Sequence, residues 1–174
     1  GQVMWPVSVL LGHYLASSKG QEILKNKNVI ELGAGCGLPG LVASHFAKAV
    51  TLTDGNDTVL DLLRRNILHS TNDGDDDRMT PAVVKKCVWG TRTHITELGK
   101  EDTVVIAADV VQWPSVVEPL LHTVKALLWG DDGGGTFILG MVNRAQSTVD
   151  LFFTLAERLG FEWRKVSFGE FLTG

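Results

Sequence analysis

Apolar and polar positions along this chain change period repeatedly, and each change predicts an element. Val9, Leu10, Tyr14 and Leu15 recur at helical spacing, which predicts a helix over 7–18. A short apolar run predicts the first strand at 27–32, followed by a helix over 38–47 and a second strand at 49–53 that ends at Asp54. An amphipathic helix over 57–69 carries Val59, Leu60, Leu62, Leu63 and Ile67 on its inner side. The acidic stretch 72–77 reads as a surface loop and 82–89 as a third strand. Residues 103–108 are continuously apolar, the signature of a strand covered on both faces. A helix over 115–129, a turn at 133–135, a fifth strand at 136–142, a helix over 146–159 and a sixth strand at 161–168 complete the series. There is no internal repeat and no linker.

Strands that alternate with helices imply an α/β fold: a mostly parallel sheet with helices on both faces and a ligand at the carboxyl ends of the strands. Chemistry-bearing residues fall at those ends. A glycine-rich loop follows strand one, Asp54 follows strand two, Trp89 and Gly90 close strand three, and Asp109 follows strand four.

The loop is the most specific of these. Gly33, Gly35 and Gly37 stand at alternate positions after Glu31 and before a helix start. Alternate glycines let the backbone turn sharply and approach a ligand, and the N–H groups at the helix start suit a carboxylate or phosphate. Pro39 fits the first helical turn, where its missing N–H costs nothing. Two motifs overlap here. The segment 35–40 satisfies the dinucleotide pattern G-x-G-x-x-G, and Asp54 lies 19 residues after Gly35, as a ribose-binding carboxylate would. The segment 31–37 has instead the acidic-x-G-x-G-x-G form, which resembles motif I of the methyltransferases that use S-adenosylmethionine. Asp54 serves either reading and separates neither.

Size narrows the choice. The 174 residues, 44% hydrophobic and 21% charged, make one globular domain spanning 1–174, with little room for the second region a dehydrogenase needs for its substrate. No apolar run reaches the roughly 18 residues of a membrane span and no signal peptide is visible, so a soluble, cytoplasmic or nuclear protein is expected. Cys36 and Cys87 lack disulfide or zinc spacing and read as reduced structural residues. The five histidines form no metal or triad pattern, and no metal is expected. A formal net charge of −4 argues against a large basic nucleic-acid surface, and Asp73, Asp75, Asp76 and Asp77 read as a solvated loop.

Taken in order, Trp5-Pro6, 31–40, Thr53-Asp54, 62–66, Trp89-Gly90 and 107–111 resemble the seven-strand protein-lysine methyltransferases over nearly the whole chain. The resemblance implies a three-layer, Rossmann-like class I methyltransferase fold and S-adenosylmethionine as cofactor. It implies that Glu31, Gly33, Gly35 and Gly37 hold the methionine part, Asp54 the ribose hydroxyls and Trp89 the adenine. Trp5 lines the methionine end, and Ala108 is a further cofactor-binding residue. Asp54 also suits a helix cap, Trp89 an ordinary core position and Trp5 a helix staple.

The same resemblance implies direct in-line transfer of a methyl group to a protein side chain, with Asp109 as the catalytic, substrate-pocket residue. Three residues beyond it the family usually places an aromatic; here the position is Gln112, with Trp113 next. Gln112 can hydrogen-bond an amine but lacks an aromatic face for a lysine cation. The family's seventh, antiparallel strand is missing from the reading, and the expectation is a chain trimmed at both ends. A monomer acting on a protein lysine leads; a small-molecule or RNA acceptor, or a domain that binds without catalysing, are the alternatives.

Overall fold

The computed structural model describes residues 3–72, 79–99, 102–129 and 134–171. Asp73, Asp75, Asp76 and Asp77, and Gly133 of the expected turn, lie outside the described residues. In chain order the elements are α1 (Pro6–Ala16), α2 (Ser18–Leu24), β1 (Asn28–Leu32), α3 (Leu38–Ala43), β2 (Ala49–Asp54) and α4 (Asp57–Asn72). They continue with β3 (Ala82–Lys86), α5 (Arg92–Thr96), β4 (Thr103–Ala108), α6 (Pro114–Leu128), β5 (Thr136–Gly140) and α7 (Gln146–Arg158). A single 3-10 turn follows at Phe168–Glu170.

The strands form one sheet in the order β3-β2-β1-β4-β5, and every pairing is parallel. Each face buries its own apolar layer. On one side Val105, Ala107 and Leu32 pack with Leu120, Val124 and Leu127 of α6 and Phe152 of α7. On the other, Leu52, Val29 and Ile106 pack with Leu11 and Leu15 of α1, Ala43 of α3 and Leu63 of α4. β4 is buried along its length except at Ala108, as a doubly covered strand should be. Chain order reverses between β1 and β4, so loops leaving these strands diverge and open a crevice at their carboxyl ends.

The structure departs from the sequence reading in five places. α2 follows α1 at once, started by Ser17, whose hydroxyl accepts the Gly20 N–H at 3.3 Å. α3 stops at Ala43, and Ala47 forms an antiparallel bridge to Lys25. β3 stops at Lys86, freeing Cys87 to Gly90 to lead into α5, a helix too short to leave a periodic signal. The expected sixth strand at 161–168 is not a strand. Its rings pack instead on the helices: Trp163 lies 4.3 Å from Phe153, and Phe161 meets Trp129 edge-on at 4.9 Å. Five strands, not six, therefore make the sheet among the described residues. In this segment the side chains are held by aromatic contacts rather than by a backbone ladder.

Candidate functional site

The carboxyl ends of β1, β2 and β4 surround a cavity of about 380 Å³. Gly33, Gly35 and Gly37 line one side, Asp54 and Trp89 a second, and Ala108, Asp109 and Gln112 the third, with Trp5 closing from the start of α1. The sheet thus brings together eight of the nine residues singled out in the sequence as cofactor-binding or catalytic.

The turn after β1 has left-handed backbone at all three glycines, with φ of 63°, 55° and 82°. At Gly33 the missing side chain also matters for space. A Cβ there would lie 2.9 Å from Val110 Cγ1 and 3.1 Å from Trp89 Cζ2, so the close approach of three segments requires glycine. The turn is pinned by Ala34 N–H donating to Thr53 O at 2.8 Å and by Asn66 Nδ2 donating to Cys36 O at 2.9 Å. Asn66 belongs to α4, which explains why the 62–66 stretch accompanies the glycines.

Glu31 is the ninth residue, and it does not line the cavity. It is 1% exposed, in the central strand beneath the turn, where Oε2 accepts the Gly40 N–H at 2.9 Å. Burial pushes its carboxyl up to about 8; the Gly40 hydrogen bond opposes this and the nearby Asp54 charge adds to it. Burial thus biases Glu31 toward its protonated form, and its hydrogen bond to Gly40 fixes the start of α3. Gly40 permits the contact, since a Cβ there would fall 2.5 Å from Glu31 Oε2.

Asp54 ends β2 with its carboxylate against backbone amides: Oδ2 accepts Gly35 N–H at 3.3 Å and Oδ1 accepts Asn56 N–H at 3.0 Å. Trp89 is half-buried against the α6 side of the core. Its indole Nε1 is buried and has no hydrogen-bond partner among the described residues. Leaving such a donor unmatched costs about 1–3 kcal/mol. Gly90 is tied to α6 by its N–H, which donates to Thr123 Oγ1 at 2.9 Å. Cys36 and Cys87 line the cavity unjoined, and burial raises the Cys87 thiol to about 11.

Asp109 has φ of 56°, a left-handed turn that swings the chain out of β4 so that Val110 and Gln112 line the cavity. Its side chain is 3% exposed and ion-paired to Arg144, a residue the sequence reading missed. Arg144 follows β5, and the guanidinium also lies 5.1 Å from the Trp5 ring centroid. Its position past a strand end was the available signal, since the other site residues occupy such ends. Gln112 Nε2 donates to Asp109 O at 2.9 Å, and Trp113, 65% exposed, sits at the rim.

A family model described as lysine methyltransferase matches residues 1–158. The chain belongs to this lysine methyltransferase family. The dinucleotide reading of 35–40 ends there, because the same glycines are accounted for by the family's own turn. Among curated relatives, a protein N-lysine methyltransferase METTL21A from Danio rerio is 34% identical over 129 residues, covering 74% of this chain and 56% of its own. The protein-lysine N-methyltransferase EFM3 of Chaetomium thermophilum is 27% identical over 168 residues, covering 94% of this chain and 49% of its own. The chain thus spans about half the length of the curated relatives it matches. A solved structure of precorrin 8W decarboxylase from Methanobacterium thermoautotrophicum shares the fold, with TM-score 0.63 at 17% identity, over 93% of this chain and 75% of that one.

Among the described residues no group of His, Cys, Asp and Glu could hold a metal, and no helix is long and apolar enough to cross a membrane. What the cavity provides is shape: a glycine turn, a carboxylate and an indole ring.

Proposed function

We propose that the chain transfers a methyl group from S-adenosylmethionine to a protein side-chain amine, that of lysine. This reading rests above all on the juxtaposition of Gly33, Asp54 and Trp89 around one cavity in a chain of the lysine methyltransferase family. Relatives named as N-lysine methyltransferases of proteins support lysine as the acceptor.

The cavity residues suit the donor. The glycine turn would take the methionine part, the Asp54 carboxylate the ribose hydroxyls, and the Trp89 ring would pack on the adenine. When bound, S-adenosylmethionine supplies a methyl group on a sulfonium leaving group. The chain's own residues then have to bind, orient and exclude water. Both Asp109 carboxylate oxygens are held by Arg144, so Asp109 shapes the wall rather than receiving a proton. An incoming amine meets the indoles of Trp5 and Trp113 and the amide of Gln112. Such an apolar, aromatic setting disfavours the ammonium form and so assists loss of its proton before transfer.

Incubating the chain with S-adenosylmethionine labelled in its methyl group and a cell lysate tests the proposal. A labelled protein band that yields methyl-lysine on hydrolysis supports it. Label confined to RNA or small molecules contradicts the acceptor assignment, and binding without transfer contradicts the activity.

A further inference from the structure

Arg144 lies outside every motif of the sequence, yet its guanidinium holds two walls of the cavity at once. Nη2 donates to Asp109 Oδ2 and Nε to Asp109 Oδ1, the latter at 3.4 Å, while the guanidinium carbon stands 5.1 Å from the centroid of the Trp5 ring. Trp5 precedes α1, Asp109 ends β4 and Arg144 follows β5, so three separated segments converge on one charge. Trp5 and Asp109 both line the cavity, whereas Arg144 does not.

The contact also supports an unfavourable backbone. Asp109 is left-handed, with φ of 56°, a conformation that costs an L residue energy and persists where neighbours over-determine it. Its N–H donates to Gly140 O at 2.8 Å, and its C=O accepts from Gln112 Nε2 at 2.9 Å. With the carboxylate fixed as well, the whole residue is clamped. That turn aims Val110 at Gly33 and places Gln112 in the cavity wall.

We infer that Arg144 is a positioning residue, a clasp that locks the Asp109 turn and holds Trp5 at the cavity, completing the wall that lines the methyl-donor site. The inference rests on the S-adenosylmethionine reading above. Arginine suits the task because a planar guanidinium offers an edge to a carboxylate and a face to an indole at the same time. A lysine at this position could supply the charge but not both surfaces. Arg144 itself is 41% exposed in its side chain, whereas the Asp109 carboxylate it holds is 3% exposed.

The test measures S-adenosylmethionine affinity by calorimetry and its dissociation rate by stopped-flow fluorescence for the parent chain, Arg144→Ala, Arg144→Lys and Asp109→Asn. Loss of the clasp weakens binding about tenfold, chiefly through faster dissociation, with the lysine variant only partly restored. Added methylguanidinium, well below denaturing concentration, slows dissociation from Arg144→Ala and leaves the parent unchanged. A purely structural arginine would lower the thermal midpoint without such rescue, and this result overturns the inference. So does an Arg144→Ala protein with the parent's dissociation rate, or full restoration by lysine. If Arg144→Ala does not fold, Arg144→Lys and Asp109→Asn carry the same comparison. A parent chain that binds no S-adenosylmethionine overturns the methyl-donor reading and the clasp together, whereas parent-like binding by every variant overturns the clasp alone.

Discussion

Gly33 runs against the edge of the Trp89 indole so closely that a single added carbon would stand 3.1 Å from Cζ2. The end of β1 and the segment after β3, which are not adjacent in the sheet, therefore share one wall of the cavity. The relationship couples the glycine turn to the ring proposed to carry the adenine, so a change at either residue is felt at both.

Gly33→Ala should lower stability by about 1–2 kcal/mol, the cost of left-handed backbone for an L residue. It should also weaken S-adenosylmethionine binding more than that loss suggests, because Trp89 and Val110 must move. Denaturant titration and calorimetry on the same preparation separate the two effects. Parent-like binding with reduced stability would mean that the Trp89 wall does not touch the ligand.

Glu31 makes a prediction about pH. Its folded carboxyl is raised to about 8 from 4.5, so between these values the native state keeps a proton that the unfolded chain has lost. Stability contributed by Glu31 is fully present below 4.5 and is lost as pH rises through the folded value near 8. Glu31→Gln, which keeps an acceptor for the Gly40 N–H and cannot ionise, should flatten that decline. Urea midpoints of both proteins between pH 5 and pH 8 read the difference, and parallel curves would place the proton elsewhere.

Thr123 joins the loop after Trp89 to α6. Fully buried, its hydroxyl donates to Pro119 O at 2.8 Å and accepts from Gly90 N–H at 2.9 Å. Thr123→Val keeps the shape and removes both bonds, and should cost about 1–3 kcal/mol. If Trp89 carries the adenine, the same change loosens the loop and raises the Kd for S-adenosylmethionine. Thermal unfolding and calorimetry check both, and an unaltered Kd would show that the anchor serves stability alone.

The sequence was legible where one side chain pattern had one cause. The continuous run 103–108 became β4 because both its faces are covered, and the alternate glycines became a left-handed turn because glycine adopts that backbone without strain. Legibility failed where tertiary contacts set the outcome. Phe161 and Trp163 alternate like a strand, yet their rings are fixed by Trp129 and Phe153. The family resemblance assigned Glu31 to the methionine part, and what no spacing shows is its burial in β1 with Oε2 accepting the Gly40 N–H. Arg144 reaches Asp109 across 35 residues, a pairing that no local spacing announces.

The most direct measurement is calorimetric titration of the chain and of Asp54→Ala with S-adenosylmethionine, and with NAD in parallel. The account predicts saturable binding of S-adenosylmethionine alone, weakened about tenfold or more when the Asp54 carboxylate is removed, as loss of a charged hydrogen-bond acceptor requires. Preference for NAD, or unchanged affinity in Asp54→Ala, would contradict it.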